Sequence, residues 1–391
     1  MSNMIKTTVI SALSAVGLSQ LLKTDNQTAL QESEALRANR ILSSAQFSGG
    51  KAIARMPQVA TSESLLSVMW AFLFERHKLK PQFTLPNVEV DTKQLAVRSD
   101  HVRVTWLGHS SLFIDIDQTR LLIDPVFEYA SPWIAKRLFS RNVNVPVARE
   151  ALPVPDAILI SHDHYDHLEE STIRYYAEKN VQFLVPLAVG RHLEKWGVSS
   201  HNIQEFDWWE STSVNGVTLT ATPANHNSGR TGYDSNATLW ASWAIQGQSG
   251  SLFYSGDSAY DTHFKDIGER LGPFDMAFIE VAANVKQGKG FPVENWGHMQ
   301  ARHTLQAFKD LGAEKLFPVH WSTFELFAHK WDEPMTDLIA EANANKTSVA
   351  LVTPMIGETL NLASEIKTTY WWQKSEDTFA QSALNIRNEI F

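Results

Sequence analysis

The run Ser161-His162-Asp163-His164-Tyr165-Asp166-His167 sets five possible metal ligands within six positions. Neutral imidazole and ionised carboxylate are the forms that bind zinc, iron or manganese. Three imidazoles and two carboxylates this close are costly unless a cation compensates them. His162 and His164 alternate, so an extended loop turns both the same way. Asp166 and His167 lie past a turn and can face a second ion. Two ions about 3.5–4 Å apart would clamp the attacking and leaving oxygens of a hydrolysis. The plain alternative is a polar surface loop rich in histidine.

The rest of the chain supplies further ligands in order. His162, His226, Asp257 and His320 each come just after a stretch that reads as a strand, at separations no single helix or hairpin explains. His162, His164 and His226 make one site. Asp166, His167 and His320 make a second, and Asp257 can bridge both ions with its two oxygens. Each ion keeps an open position, as catalytic zinc does. A water held between them would have its pKa lowered to about 7.

Together, Trp106-Leu107-Gly108-His109-Ser110, Leu122-Ile123-Asp124-Pro125, the His-x-His-x-Asp-His run, Ser255-Gly256-Asp257 and His320-Trp321 resemble the metallo-β-lactamase superfamily. Leu159-Ile160-Ser161-His162 and His320-Trp321-Ser322-Thr323-Phe324, with Glu333-Pro334 downstream, are similar to the branch of the N-acyl-phosphatidylethanolamine-hydrolysing phospholipase D. The resemblance implies an αββα sandwich with two zinc ions per chain on the seven residues above. It implies that Asp124 orients a ligand or approaches the metal. His109 either lines the site or is a structural histidine of its turn. His298 matches a branch histidine near the substrate, as general acid or phosphate donor; its other reading is a helix-start position. Trp321 is a substrate-contact candidate beside His320. Asp166 would hold a metal and orient the attacking hydroxide. The activity implied is phosphodiester hydrolysis of phospholipase D type on a lipid or small molecule. Rival readings are a lactonase or other C–O hydrolase, a di-iron redox protein, and a metal-stabilised scaffold without turnover. Position 257 is Asp rather than Cys, which disfavours the thiolate-using antibiotic-degrading subclass.

The elements that must hold these residues alternate along the chain. Short strands are expected around Val102–Trp106, Leu112–Ile114 and Leu121–Ile123, then at Asp156–Ile160 before the histidine run. A helix follows over Leu168–Lys179. Gln182–Val185 is a strand and Leu187–Trp196 a helix ending at Gly197. Ser213–Thr222 is a hairpin about Asn215-Gly216. Strands at Leu239–Ile245, Ser251–Tyr254, Met276–Glu280, Leu316–Val319 and Val349–Val352 intersperse with helices at Tyr260–Leu271, His298–Leu311 and Pro334–Asn343. Phe127–Arg149 mixes aromatic and basic residues; it either lies on an anionic lipid surface or folds over the site. Residues 20–60 are helical or irregular, and Ser64–His77 has a helical apolar face.

At 391 residues with 43% hydrophobic content, the chain can bury a sizeable core. We expect a leader and helical extension at 1–100, a catalytic domain at 101–365 and a tail at 366–391. The net charge of −9 argues against a nucleic-acid partner. The absence of cysteine excludes disulfides, thiolate ligands and a Cys nucleophile. Thirteen tryptophans imply large aromatic surfaces in the core, around a pocket or at a lipid interface. Residues 1–18 resemble a short signal-peptide core, too short to span a bilayer. The expected location is cytoplasmic or peripheral to the inner membrane, or periplasmic if residues 1–18 act as a signal. The sequence does not fix an oligomeric state.

Overall fold

The computed structural model describes residues 28–56, 80–283 and 297–373, apart from positions 82, 137, 138, 140, 325, 327, 328 and 348. The expected helix at Ser64–His77 and the leader at 1–18 lie outside the described residues. A helix over 28–43 (α1) comes first, then a small hairpin of β1 (Phe47–Ser48) and β2 (Lys51–Ala52), and a short helix α2 (Thr92–Ala96). A meander of β3 (Arg103–Gly108), β4 (Ser111–Ile116) and β5 (Thr119–Ile123) follows. Next come β6 (Ala157–Leu159), α3 (Glu170–Ala177), β7 (Gln182–Pro186), α4 (Gly190–Lys195) and β8 (Ile203–Phe206). The second half runs β9 (Ser211–Val214), β10 (Val217–Thr222), β11 (Ser242–Gln246), β12 (Ser251–Tyr254), α5 (His263–Leu271) and β13 (Met276–Glu280). It closes with α6 (Ala301–Asp310), β14 (Lys315–Val319), α7 (Glu333–Ala344), β15 (Ala350–Leu351) and β16 (Thr359–Asn361).

The strands form two seven-stranded sheets, ordered β16-β3-β4-β5-β6-β7-β8 and β15-β14-β13-β12-β11-β10-β9. The central strands are apolar on both faces because both faces are covered. Leu112, Ile114, Leu121, Ile123 and Leu159 point between the sheets, with Trp243, Phe278 and Phe317 from the other side. Their neighbours Phe113, Leu122 and Ile158 face outward, onto Ile173 and Tyr176 of α3 and Leu193 of α4. The second sheet carries α5 and α6 outside, where Phe264 meets Phe253 edge-on at 6.2 Å. Burying each large side chain contributes roughly 1.5–3 kcal/mol, which holds the expected αββα sandwich together.

Strand direction explains where the chemistry collects. β5, β6, β7 and β8 run parallel, as do β12, β13, β14 and β15. β3 and β10 are each two antiparallel steps away, so they share those directions. The carboxyl ends of β3, β5, β6, β10, β12, β13 and β14 therefore deliver His109, Asp124, the histidine run, His226, Asp257, Glu280 and His320 to one rim. Hydrogen bonds across the rim bind the sheets: Ala241 N–H donates to Ser161 O at 2.9 Å, and His320 N–H to His109 O at 3.2 Å.

The Asn215-Gly216 turn forms as expected, with φ of 48° and 90°, and pairs Val214 with Val217. Four helices start later than the periodicity suggests, α3 by two residues at Glu170. Ala188, at φ 75°, delays α4 to Gly190. α5 begins at His263 and α6 at Ala301, after loops whose polar residues serve the rim. β8 and β16 went unforeseen, being short and only partly buried. The described residues of segment 127–149 include the single turn Trp133–Ala135, and another, Arg149–Ala151, starts at its end. The flanking chain packs onto the sandwich: Leu85, Val90, Leu95, Trp371 and Trp372 are all buried. Arg37 of α1 pairs with Glu205 at 2.8 Å and Glu194 at 3.1 Å. Among the described residues no helix is long and apolar enough to cross a membrane.

Candidate metal centre

Three groups of donor atoms meet at the rim, the third of them, Asp257, Glu280, His298 and His320, sharing two residues with the others. His162, His164, His226 and Asp257 form the first; His109, Asp166, His167 and His320 form the second. In the first, His164 Nδ1 lies 2.9 Å from His162 Nε2 and 3.2 Å from His226 Nε2. Asp257 Oδ2 is 3.8 Å from the Nε2 atoms of His162 and His226. In the second, Asp166 Oδ2 is 3.3 Å from Nε2 of both His167 and His320. Asp257 reaches this group as well, with Oδ1 3.2 Å from His167 Nε2 and Oδ2 3.1 Å from His320 Nε2. Asp257 thus stands between the two groups. Asp163 turns away: its carboxylate accepts Gly229 N–H at 2.8 Å and Thr238 Oγ1–H at 3.0 Å, and pairs with His192.

The outer nitrogens show which lone pairs face inward. His167 Nδ1 donates to Asp124 Oδ2 at 2.7 Å, and His226 Nδ1 to Gly297 O at 2.7 Å. Ser161 Oγ–H donates to Asp124, leaving the Ser161 oxygen to accept His162 Nδ1–H at 2.9 Å. With those protons fixed outside, Nε2 of His162 and His226 present bare lone pairs, and Nε2 of His167 is the atom left to bind a cation in place of its second proton. Lone pairs facing each other at such distances repel unless a cation lies between them. Nε2 of His167 and His320 and Oδ1 of Asp257 are also buried without a hydrogen bond. Nitrogen ligands about 2.1 Å from a tetrahedral zinc sit about 3.4 Å from one another. The donor set therefore fits a pair of ions of that kind.

Electrostatics agree. Burial opposes ionisation of Asp257 and Asp166, but His167 and its neighbours outweigh it and hold both carboxyls well below the usual range. Burial likewise works against protonating His320, yet Asp257 and Asp166 lift it to about 10. Burial and neighbouring histidines push His162 and His226 well below their ordinary value. Metal-free, the rim keeps protons on His167 and His320; a cation would replace them.

Asp124 does not join either group. It accepts from Ser161 N–H at 2.7 Å, from His167, and from Tyr254 OH at 2.5 Å, so it orients a donor from behind. His109, pushed to about 3 by burial, is neutral and touches Asp166 through Nε2 at 3.1 Å. His298 approaches from the start of α6, its Nδ1 2.8 Å from Glu280 Oε2. Trp321 is only 2% exposed. Its indole stacks on Trp371 at 5.2 Å and donates to Pro318 O, behind His320. Sequence reading missed Glu280, Tyr254 and Ser161. The available signal for Glu280 was an acid ending a buried strand between the strands that deliver Asp257 and His320.

Residues 119–321 match the family model of the beta-lactamase superfamily domain. An uncharacterized protein of Mycobacterium tuberculosis is 35% identical over 319 residues, 80% of this chain and 82% of its own length. The N-acyl-phosphatidylethanolamine-hydrolyzing phospholipase D 1 of Caenorhabditis elegans is 30% identical over 267 residues, 65% of this chain and 74% of its own. Among solved structures, the metallo hydrolase Igni18 of Ignicoccus hospitalis superposes with a TM-score of 0.51 at 18% identity, over 68% of this chain and 99% of that one. That last likeness speaks to the fold alone.

Proposed function

This chain belongs to the beta-lactamase superfamily and is a metal-dependent hydrolase, and from that premise we propose a dinuclear zinc phosphodiesterase of phospholipase D type, acting on N-acyl phospholipids or related phosphodiesters. The observation that carries the reading is that the Asp257 oxygens lie 3.1–3.8 Å from Nε2 atoms of two separate imidazole groups. The substrate class rests on the name of the nematode relative.

Zinc bound at the two groups would acidify a water and polarise the phosphoryl oxygens. The chain's own residues do the rest. His162, His164 and His226 would hold one ion and Asp166, His167 and His320 the other, with Asp257 within reach of both groups. Asp166, steadied by His109, also orients the attacking water. His298 gives a proton to the leaving oxygen, as a general acid beside the cluster. Trp321 supports His320 from behind.

Trp133 and Ile134 are 73% and 77% exposed on one turn, beside Lys136. An apolar pair next to a cation suits peripheral contact with an anionic lipid surface. The test is hydrolysis of N-acyl phosphatidylethanolamine, bis(p-nitrophenyl) phosphate and a lactone by zinc-loaded and chelator-stripped protein. Zinc-dependent release of N-acylethanolamine is expected. Turnover of the lactone alone would overturn the reading in favour of a C–O hydrolase.

A further inference from the structure

The stretch from Asp163 to Leu168 carries three of the proposed ligands, His164, Asp166 and His167, yet it is neither helix nor strand. Its own backbone bonds fix only its middle: His167 N–H and Leu168 N–H both donate to His164 O, at 3.1 and 2.8 Å. The carbonyls of its two end residues meet a single atom from elsewhere. Nη1 of Arg230 donates to Asp163 O and to Leu168 O, each at 2.7 Å. Both end residues are buried, so these oxygens need a protein donor. The guanidinium carbon also lies 3.9 Å from the ring centre of Tyr165, inside the stretch, and 5.0 Å from that of Trp196. A planar cation laid on an aromatic face keeps its orientation, which a flexible ammonium does not.

Arg230 stands four residues after His226, a ligand of the first group. Its backbone is held in turn. Asp234 Oδ1 accepts Arg230 N–H at 3.1 Å and Thr231 N–H at 2.7 Å. Tyr165 OH donates to Arg230 O at 3.0 Å, and Gly229 N–H to Asp163 Oδ1 at 2.8 Å. The loop after β10 and the histidine run after β6 are therefore joined through this one residue and its neighbour.

We infer that Arg230 is a positioning residue of the metal centre: its guanidinium brackets the histidine run and ties it to the loop of His226, so that donors of both groups hold their spacing before a cation binds. The inference rests on the ligand assignment proposed above. Arg230 is no ligand itself, because a guanidinium stays protonated and offers no lone pair. Without it two buried carbonyls lose their donor, and the ends of the run are free to part. Zinc binding would then have to gather donors that the wild type presents already gathered.

The experiment compares wild-type protein with Arg230→Ala, Arg230→Lys and Arg98→Ala. Arg98 pairs with Asp156 at 2.5 Å, at the opposite end of β6 from the run, and controls for a general loss of stability. Zinc dissociation constants are read by competition with a chelator and melting temperatures by calorimetry. Backbone hydrogen exchange over residues 163–168 is read in metal-free protein. Arg230→Ala should weaken zinc binding about 10–100-fold and speed exchange of the His167 and Leu168 N–H groups. Arg230→Lys should fall between Arg230→Ala and the wild type. A cavity of about 490 Å³ adjoins Arg230, Tyr165 and Trp196. Guanidinium chloride, well below denaturing concentration, should therefore restore part of the zinc affinity of Arg230→Ala, and sodium chloride should not. Arg98→Ala should bind zinc as the wild type does.

Wild-type zinc affinity in Arg230→Ala would overturn the inference, and so would equal weakening in Arg98→Ala. If Arg230→Ala does not fold, Arg230→Lys decides: zinc affinity and exchange equal to the wild type would overturn the bracket. Uptake of a single zinc by the wild type would contradict the shared centre alone, because the same comparison on that ion still decides for or against Arg230.

Discussion

Asp124 Oδ2 accepts the Nδ1–H of His167 at 2.7 Å, so a residue after β5 sets the tautomer of a candidate ligand after β6. The same carboxylate accepts Ser161 N–H, Ser161 Oγ–H and Tyr254 OH. Asp124→Asn would put a second donor among donors and leave one without an acceptor. Zinc affinity should fall about 10–100-fold, measured by competition with a chelator. Excess zinc should restore much of the activity.

Gly256 lies where the two sheets touch. Its φ is 55°, and a Cβ there would sit 2.6 Å from Ser161 Cβ. Gly256→Ala would push the turn carrying Asp257 away from the histidine run. Bound zinc and turnover should both drop sharply in protein that still melts cooperatively. Elemental analysis and calorimetry on the same sample check this.

Chelator-stripped protein should melt at a lower temperature than zinc-loaded protein, because zinc binds the gathered donors of the folded rim and not the unfolded chain. A ligand at about 100 times its dissociation constant adds about 2.7 kcal/mol. Differential scanning calorimetry with and without zinc gives the difference, which should return on reloading.

His263 gives the pH dependence. Burial first, then the charge of Arg55, depress its folded-state pKa to about 3, against an unfolded value of about 6.5. Between these values the unfolded chain binds the proton more readily. Stability is therefore lost as pH falls from about 6.5 toward 3, at no more than about 1.4 kcal/mol per pH unit from this group. Denaturant midpoints across that window should show a shallower acid slope in His263→Gln.

Trp321→Phe should cost about 1–3 kcal/mol of stability by opening space in the stack with Trp106 and Trp371. KM should stay close to wild type, as expected of a residue that supports His320. A selective rise in KM with unchanged stability would put the indole against the substrate instead.

Much of this rim is legible in the sequence, because each donor follows a short apolar run and strand ends lie side by side in a parallel sheet. Asp257 and His320 stand out since a charge after Ser251–Tyr254 or Leu316–Val319 has no other obvious purpose. Glu280 does not stand out. An acid closing Met276–Glu280 reads equally well as a strand reaching water, and its burial depends on His298 and Ser258, whose approach no local pattern encodes. The surroundings of Trp321 are hidden for a similar reason. Its place beside His320 in sequence suggests the substrate, whereas Trp371 and Trp372 arrive from 50 positions later to enclose it. The start of α4 is likewise hidden, because the left-handed conformation of Ala188 has no marker such as glycine.

The most direct measurement is zinc bound per chain at equilibrium, by dialysis of stripped protein against buffered zinc followed by elemental analysis, for wild type and Asp257→Asn. We predict two ions in the wild type and at most one in the variant. A single ion in the wild type, or two retained without the Asp257 carboxylate, would contradict the shared centre.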